Sequence, residues 1–457
     1  MKSVFINILL LLFLCDSLDS QQVGKKNPVI EEIVGQISAD NLRHHVQALV
    51  GFKTRHTLSD TTSSTSGIGA ARRWIKSEFD RSAASSEGRM SVEFQEFTAP
   101  PSQRIPRPAK IVNVIATIAP SRTTTNLGAE GAHANRVFIL SGHYDSRASN
   151  ALDSTGNAPG ANDDGSGTAI VLELARAFSK YEFESAIKFV AFAGEEQGLI
   201  GSTHLAEVAK EQGWNIQAVL NNDIVGNALG GNGETESGYV RLFSEAYSAA
   251  DTGAIFRQRN SLGLENDGAS RLLARYVEEV AEMYVPNFAV RLIYRRDRFL
   301  RGGDHIPFDD RGFAAVRFTV AKENFDQQHQ DVRSENGKSY GDLPEYMDFS
   351  YCANIARANA AALASLALAP EAPSNVRILT KGLQYDTEVR WRINPEHDLS
   401  GYIVKYRETT SPSWQHSIFT SDTTATLKVS KDDYLFAVQA VDKDGNPSLP
   451  SIPIPGR

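Results

Sequence analysis

Three segments between residues 136 and 196 decide the fold: RVFILSGHYDS (136–146), GSGTAIVLELARAF (165–178) and AIKFVAFAGEE (186–196). The first and third are apolar, β-branched runs typical of buried strands, and the middle one predicts a helix that begins near Ser166. A strand, a helix and a second strand in this order predict a parallel pairing of the two strands.

The alternation of strands and helices continues on both sides of these segments. Further predicted strands are IVNVIATI (111–118), QAVLNNDIVG (217–226) and FAAVRFT (313–319), and further predicted helices are RLLARYVEEVAEMY (271–284) and FSYCANIARANAAALASLALA (349–369). We therefore predict an α/β fold for residues 23–370, with a mainly parallel or mixed sheet and helices on both of its faces.

The composition changes at Pro370–Pro373, and the remaining residues, 371–457, have an all-β pattern. Short alternating strands such as GYIVKYRET (401–409) and YLFAVQAVD (434–442) are separated by turn signals, and Trp391 supplies a large core side chain. The spacing predicts a small β-sandwich of seven short strands. These segments resemble fibronectin type III domains. One hypothesis for the role of residues 371–457 is contact with a surface, a polysaccharide or the catalytic domain itself, and the other is a simple spacer.

The amino terminus resembles an export signal. One lysine precedes an apolar run that ends at Leu14, and this run is too short for a membrane-spanning helix. We therefore expect a signal peptide over residues 1–22 and a secreted, periplasmic or cell-surface protein. A lipoprotein anchor at Cys15 is the alternative, although Leu14 occupies a position where such signals usually have a small residue. No other segment predicts a transmembrane helix.

Charge and cysteine content exclude several classes of protein. The formal net charge is −8, which argues against a general nucleic-acid-binding protein, because phosphate binding requires a basic face. The two cysteines, Cys15 and Cys352, are too few for a disulfide scaffold or a thiolate-rich metal site.

Four clusters of acidic residues or histidine lie where predicted strands end or a helix begins. Each has an ordinary explanation when it is taken singly, such as a structural histidine, a helix cap or a solvated loop. Ligands in open α/β sheets bind at the carboxyl ends of the strands, so these clusters are expected to converge. The clusters contain His143 with Asp145, Asp163 with Asp164, Glu195 with Glu196, and Asp223.

The chemistry of this set indicates a metal site. It combines carboxylate oxygens with imidazole and contains no thiolate, which suits zinc or manganese, and paired metals where one carboxylate bridges them. Two adjacent carboxylates in a tight turn also repel one another unless a cation balances them.

The strings HYDS, GANDDGSG, AGEEQGLIGS, NNDIVGN and GGDHIPF resemble those of the co-catalytic zinc exopeptidases over about residues 40–369. This family includes secreted aminopeptidases, glutamate carboxypeptidase-like enzymes and glutaminyl cyclases. The resemblance implies two Zn²⁺ ions per chain and a cis peptide bond after Asp163. It further implies that His143 and Asp223 hold one zinc and that Glu196 and a late histidine hold the other, with Asp163 bridging both. In the same resemblance, Glu195 is the general base and Asp145 orients His143.

Two histidines are candidates for the last ligand. The family's ligand follows the final core strand and is itself followed by an aspartate within a few residues. His329 follows FAAVRFT and precedes Asp331, so we select it over His305, which is expected to shape the substrate pocket or support a loop. Gln328 occupies the position where the family often has an aromatic residue.

The expected activity is hydrolysis of a terminal peptide bond by a hydroxide that bridges the metals, with peptides or proteins as substrates. Aminopeptidase activity is favoured over carboxypeptidase activity. Two alternatives are a glutaminyl cyclase-like acyltransferase that uses one zinc and a non-catalytic binding ectodomain. An arginine cluster either meets an acidic group of the substrate or forms a solvated face; its members are Arg295, Arg296, Arg298 and Arg301.

Overall fold

A computed structural model of the chain describes residues 24–121, 135–381 and 384–456. The predicted signal peptide and Cys15 lie outside these residues. The chain divides into two compact units. The larger unit consists of Glu32–Gln258 and Gly268–Ala367. The smaller unit contains Arg259–Asp267, the described residues from Leu368 onward and the described residues up to Glu31.

The larger unit is built on a mixed sheet, which has eight strands in the described part of the chain, in the order β1-β2-β4-β3-β5-β8-β6-β7. The four central strands β4, β3, β5 and β8 are mutually parallel, and β1, β2 and β6 add antiparallel pairings. The strands are β1 (Met90–Ala99), β2 (Ala109–Ile118), β3 (Arg136–His143), β4 (Ala186–Phe192), β5 (Asn215–Asn222), β6 (Tyr239–Phe243), β7 (Ala289–Ile293) and β8 (Ala315–Val320).

Helices cover both faces of this sheet, as predicted, and a short hairpin of β9 (Arg333–Glu335) and β10 (Lys338–Tyr340) follows β8. No helix in the described ranges has the length and apolar character needed to cross a membrane. The helices are α1 (Pro28–Gly35), α2 (Ala39–Gly51), α3 (Gly67–Ala84), α4 (Gly165–Phe178), α5 (Ile200–Glu211), α6 (Gly253–Ser261), α7 (Ala269–Tyr284), α8 (Ile306–Asp309) and α9 (Phe349–Leu368).

Different contacts hold the two faces. On one face, Leu205 of α5 and Phe308 of α8 pack with Val219 of β5 in a fully buried apolar cluster. On the other face, Asn359 of α9 exchanges side-chain hydrogen bonds with Asn222 of β5 at 2.8 and 3.1 Å. Successive residues of a strand point to opposite faces of the sheet, so Val219 and Asn222 of β5 contact helices on opposite faces.

The central strands end side by side, which positions the polar clusters. His143 at the end of β3 pairs with Phe192 at the end of β4, and Asn221 of β5 lies beside Ser141. The strands are shorter than the sequence patterns predict, so the acidic residues of the clusters lie in the connections just beyond them. The carboxyl ends of parallel strands thus deliver three connections to one edge of the sheet.

Close backbone approach between α4 and the sheet requires glycine. A Cβ atom on Gly167 would lie nearer than 3.0 Å to the carbonyl oxygen of Asn222 and to the Asp164 carboxylate. A Cβ atom on Gly142 would meet the backbone of Gly167 in the same way. The glycines of GSG therefore allow the first turn of α4 to lie directly against β3 and β5.

The smaller unit contains two sheets with a buried apolar core. One sheet has the order β15-β12-β11-β17 and the other β14-β13-β16, which gives the predicted number of strands among the described residues. Trp391, Tyr402 and Val438 pack in this core, which draws residues from both sheets. The strands are β11 (Arg377–Leu379), β12 (Thr387–Arg390), β13 (Leu399–Glu408), β14 (His416–Thr420), β15 (Thr424–Leu427), β16 (Tyr434–Asp442) and β17 (Ile454–Gly456). The pairings are antiparallel except that of β11 with β17.

The substitution Gly167→Ala tests the close approach of α4 to the sheet. We expect it to lower the free energy of unfolding by about 1–3 kcal/mol, because the new methyl group would force two packed backbones apart. Gly51→Ala is the control, because a Cβ atom there meets nothing within 4 Å, and its effect should stay within about 0.5 kcal/mol. Urea unfolding followed by circular dichroism measures both, and equal effects would contradict the proposed packing constraint.

Candidate metal centre

The residues predicted for catalysis and metal binding converge at the edge where β4, β3 and β5 end. Two groups of three have ligand atoms within 4.8 Å of one another in the described part of the chain. The end of β3 supplies His143 and the connection after it supplies Asp145, the turn before α4 supplies Asp163, and the loop after β8 supplies the second histidine. The two groups, called triad 1 and triad 2 below, are His143, Glu195 and Asp223, and Asp163, Glu196 and His329.

Triad 1 centres on a buried imidazole. His143 Nε2 lies 3.9 Å from Glu195 Oε2, 3.9 Å from Asp223 Oδ1 and 3.3 Å from Asp163 Oδ1. This nitrogen is buried and makes no hydrogen bond within the described residues. A buried nitrogen without a hydrogen bond, facing three carboxylates, is the arrangement that a cation would complete.

Triad 2 contains the later of the two candidate histidines. His329 Nε2 lies 2.9 Å from Glu196 Oε1 and 2.9 Å from Asp163 Oδ2. His305 is instead fully buried at the start of α8, where its Nε2 lies 2.9 Å from the carbonyl oxygen of Arg296. The structure thus brings His329 to the carboxylates and leaves His305 in a position that supports the adjoining loop.

Asp163 lies between the two triads. Its Oδ1 faces His143 and its Oδ2 faces His329, so a single carboxylate contacts both groups. The Asp163–Asp164 peptide bond is cis. Gln328, which precedes His329, donates a hydrogen bond from Nε2 to Asp163 Oδ2 at 3.2 Å. Gln328, which stands where the family often has an aromatic residue, therefore binds the Asp163 carboxylate.

The donor set suits zinc. Each triad offers one imidazole nitrogen and two carboxylate oxygens, which are ordinary ligands of catalytic zinc sites. Glu195, expected from the resemblance to be the general base, belongs to triad 1, with its side chain 13% exposed. Each metal would then be held by side chains already gathered at the strand ends.

Asp145 acts mainly on the backbone of the two glutamates. Its carboxylate accepts hydrogen bonds from the N–H groups of Glu195 at 3.3 Å and Glu196 at 3.2 Å, and from the Thr57 hydroxyl. His143 Nδ1 lies 3.1 Å from the backbone carbonyl oxygen of Asp145 and 3.6 Å from its carboxylate. The nearest group for orienting the imidazole is therefore the carbonyl, whereas the carboxylate fixes the glutamate turn.

Two further aspartates hold the site and were not assigned a role from the sequence. Asp164 accepts hydrogen bonds from the N–H groups of His143, Gly167 and Ile224 at 2.8–3.2 Å, which links three connections. Asp342 accepts hydrogen bonds from the N–H groups at 162 and 163 at 2.8 and 2.7 Å. The DDGSG turn is a recognisable helix cap, but nothing near Asp342 in the sequence indicates its role.

A buried arginine balances part of the negative charge. Arg317 on β8 places Nη2 2.9 Å from Asp223 Oδ1 and Nη1 3.0 Å from Asp297 Oδ2, and all three side chains are almost fully buried. Burial favours the neutral carboxyl, yet the Arg317 charge holds the pKa of Asp223 below its usual range. Asp223 therefore remains an anion that can ligate a metal.

Glu195 and His329 have strongly shifted pKa values. Burial raises the pKa of Glu195 well above its usual range, and the charges of Asp223 and Glu196 raise it further. Burial lowers the pKa of His329, but the charges of Glu196 and Asp163 outweigh burial and raise it to about 10. A carboxyl that holds a proton more tightly than usual suits acid–base work near neutral pH.

The triads face an open cleft of about 600 Å³. Of the predicted arginine cluster, Arg298 and Arg301 line this cleft, together with Arg104 and Arg147, which the sequence did not indicate. Arg296 instead pairs with Glu245, just after β6, and with Asp310 at the end of α8. The cleft therefore combines the metal triads with several guanidinium groups.

Comparison with known proteins agrees with this geometry. The sequence profile of peptidase family M28 matches residues 113–347. A probable zinc metalloprotease of Leptosphaeria maculans is 44% identical over 439 residues, covering 95% of this chain and 100% of that protein. A probable zinc metalloprotease of Pyrenophora tritici-repentis is 42% identical over 430 residues, covering 93% of this chain and 87% of that protein.

Solved structures share the fold at lower identity. An aminopeptidase from Aneurinibacillus sp. strain AM-1 superposes with a TM-score of 0.51 at 16% identity, covering 74% of this chain and 96% of that one. The LapA aminopeptidase of Legionella pneumophila gives a TM-score of 0.50 at 19% identity, covering 73% and 74%. The α/β architecture is therefore that of known aminopeptidases.

Zinc binding at pH 7 should release protons to the buffer. His329, with a pKa of about 10, is protonated at that pH, and its Nε2 must lose the proton before it can ligate a metal. The apparent zinc affinity should therefore fall as the pH falls. Calorimetric titration in two buffers of different ionisation enthalpy measures the release, which His329→Ala should reduce and the control His397→Ala should not. Zinc binding without proton release would contradict this assignment.

Removing the buried cation beside Asp223 should destabilise the fold. Arg317→Gln leaves Asp223 and Asp297 buried without their positive partner, so we expect a loss of about 3–5 kcal/mol in the free energy of unfolding. Arg311→Gln is the control, because its ion pair with the half-exposed Glu207 lies at the surface, where loss costs up to about 1 kcal/mol. Urea unfolding of both variants tests the difference, and a loss below 1 kcal/mol for Arg317→Gln would refute the prediction.

Proposed function

The chain belongs to peptidase family M28, and we propose that this zinc peptidase is an exported exopeptidase that releases amino-terminal residues from peptides. The observation that carries the proposal is the position of Glu195, which belongs to triad 1, directly precedes Glu196 of triad 2 and lines an open cleft. A carboxyl group with a raised pKa, next to residues that suit two cations, is placed to move a proton during hydrolysis.

The proposed ligand set follows from the two triads. His143 and Asp223 would hold one Zn²⁺, Glu196 and His329 would hold the other, and Asp163 would contact both. When bound, zinc supplies Lewis-acid polarisation of the substrate carbonyl and lowers the pKa of water to about 7. Two complete triads favour this enzyme over the one-zinc cyclase and over a non-catalytic ectodomain.

The side chains of the chain itself perform the proton transfers in this proposal. Glu195 accepts a proton from the attacking water at Oε1 or Oε2 and returns it to the leaving amine. Asp145 keeps Glu195 and Glu196 in place through their N–H groups, and His143 and Asp223 would hold the cation next to Glu195. The rigid backbone at the strand ends limits the movement of these groups during the reaction.

Which end of the peptide is cleaved and where the enzyme acts are two further proposals, each with its own support. The solved structures that share the fold include aminopeptidases, and this likeness supports the release of amino-terminal rather than carboxy-terminal residues. The apolar run after Lys2 supports export by a signal peptide over residues 1–22. The smaller unit, with its two sheets around Trp391, is consistent with a fibronectin type III-like module that acts as a spacer or contacts a surface.

The substitution Glu195→Gln tests the general base. It preserves the volume and the hydrogen-bonding capacity of the side chain but removes the proton-accepting carboxylate, so kcat should fall by about 10²–10⁴-fold with the bound zinc content little changed. Glu211→Gln, on the exposed end of α5, is the control and should keep full activity. Product analysis by mass spectrometry on a pentapeptide identifies which end is cleaved.

Two outcomes would contradict the proposal. Wild-type activity in Glu195→Gln would show that another group moves the proton. Cleavage in the middle of the pentapeptide would show an endopeptidase, and sequential loss of carboxy-terminal residues would show a carboxypeptidase. Dialysis against a chelator should abolish activity, and added zinc should restore it.

A further inference from the structure

Four guanidinium groups line the cleft beside the metal triads: Arg104, Arg147, Arg298 and Arg301. Every carboxylate that lines the cleft in the described part of the chain belongs to triad 1 or triad 2. The four carboxylates carry four negative charges, which two divalent cations would balance. No net negative charge would then remain in the triads to pair with these arginines. The cleft outside the triads is therefore positively charged once the metals are bound.

The arginines differ in how firmly they are paired. Arg298 is almost buried and contacts Asp297 and Glu323, so its role is structural. Arg301 shares that single glutamate with Arg298 and Arg241, so three guanidinium groups meet one carboxylate. The charge of Arg301, whose side chain is 31% exposed, is consequently only partly balanced.

Arg104 lines the same cleft. Its Nη1 donates a hydrogen bond to the backbone carbonyl oxygen of Glu196 at 2.7 Å. It forms no ion pair with a carboxylate among the described residues. A guanidinium group has five N–H donors, so Arg104 keeps donors available for an anion in the cleft.

Arg147 is coupled to the metal site through both of its polar contacts. Its Nε donates to Glu196 Oε2 at 3.0 Å, and its Nη2 lies 2.7 Å from His329 Nδ1. A metal ion in triad 2 would take up much of the negative charge of Glu196 and so weaken its ion pair with Arg147. The Arg147 guanidinium would then have donors free for another anion.

We propose that Arg104, Arg147 and Arg301 form a subsite for a substrate carboxylate, so that the preferred substrates carry an acidic group next to the scissile bond. The subsite rests on the proposed exopeptidase function and adds the substrate class. Guanidinium groups recognise carboxylates through paired, charge-assisted hydrogen bonds. The carboxylate is either an acidic side chain or the free carboxyl terminus of a dipeptide, and both present the same chemistry to the arginines.

Dipeptides distinguish the two sources, because they contain a single scissile bond. The zinc-loaded full chain is assayed on Ala-Glu and Ala-Gln, each with a free or an amidated carboxyl terminus, and on amidated Glu-Ala and Gln-Ala. We expect kcat/KM to be about 10- to 100-fold higher for a peptide with the recognised carboxylate than for its neutral counterpart, which is the effect of charge-assisted hydrogen bonds. The pair that shows this ratio identifies the source.

Variants assign the effect to the arginines. Arg147→Gln, Arg104→Gln and Arg301→Gln should each lower the ratio towards one, mainly by slowing the acidic substrates, and Arg147→Lys should restore part of it. Arg295→Gln is the matched control, because this exposed arginine of the same cluster stacks on Phe299 and does not line the cleft. Zinc content measured by mass spectrometry shows that each variant retains its metal.

The outcomes separate this proposal from the proposed function. Equal kcat/KM for acidic and neutral dipeptides would overturn the carboxylate subsite and leave the exopeptidase proposal intact. The same conclusion would follow if Arg295→Gln lowered the acidic-to-neutral ratio of kcat/KM as much as the variants of the cleft arginines do. If no dipeptide is cleaved, the pentapeptide assay decides the exopeptidase proposal, and calorimetric titration with N-acetylglutamate tests the subsite directly. If the Arg147→Gln variant binds N-acetylglutamate about tenfold or more weakly than the wild type, the result supports the subsite. Equal binding by the variant and the wild type refutes it.

Discussion

Repulsion among buried carboxylates is the constraint on which the rest of the site depends. Asp163, Glu196 and Asp223 are each less than 10% exposed. Asp163 and Glu196 share triad 2, and Asp223 faces the same His143 nitrogen as Asp163. Buried charges of one sign are unfavourable unless cations or N–H donors surround them. The fold supplies Arg317 beside Asp223 and Arg147 beside Glu196, and the remaining negative charge is what makes the cleft suitable for divalent metal ions.

The backbone donors explain why the site is located at the ends of parallel strands. Asp145 binds the N–H groups that follow β4, and Asp164 binds those at the end of β3, in the first turn of α4 and after β5. Each aspartate thus joins neighbouring connections. These hydrogen bonds fix the positions of the residues that would hold the metals.

Much of the larger unit could be predicted because its strands are fully buried and strongly apolar. The runs that became β3, β4 and β5 have no plausible alternative to a buried parallel strand. Strands β6 and β7 were not predicted, since each has only five residues; β6 depends on pairing with β8, and the edge strand β7 depends on pairing with β6. Of the site, the acidic clusters and His329 could be identified by their position after strands. Asp342, Arg147 and Arg104 could not, because each acts on a residue distant in the sequence and none follows a local pattern.

The sequence by itself determined the types of ligand and the family, because carboxylates and imidazoles at strand ends occur in recognisable strings. Only the tertiary structure decided the grouping of these ligands into two triads. It also decided that Asp145 binds backbone N–H groups and that Arg317 balances Asp223. These contacts join residues up to 166 positions apart in the sequence, Asp163 and His329 being the most distant pair, and the packing of helices against the sheet brings them together. The physical reason is that charge balance is a property of the folded cleft and not of any one segment.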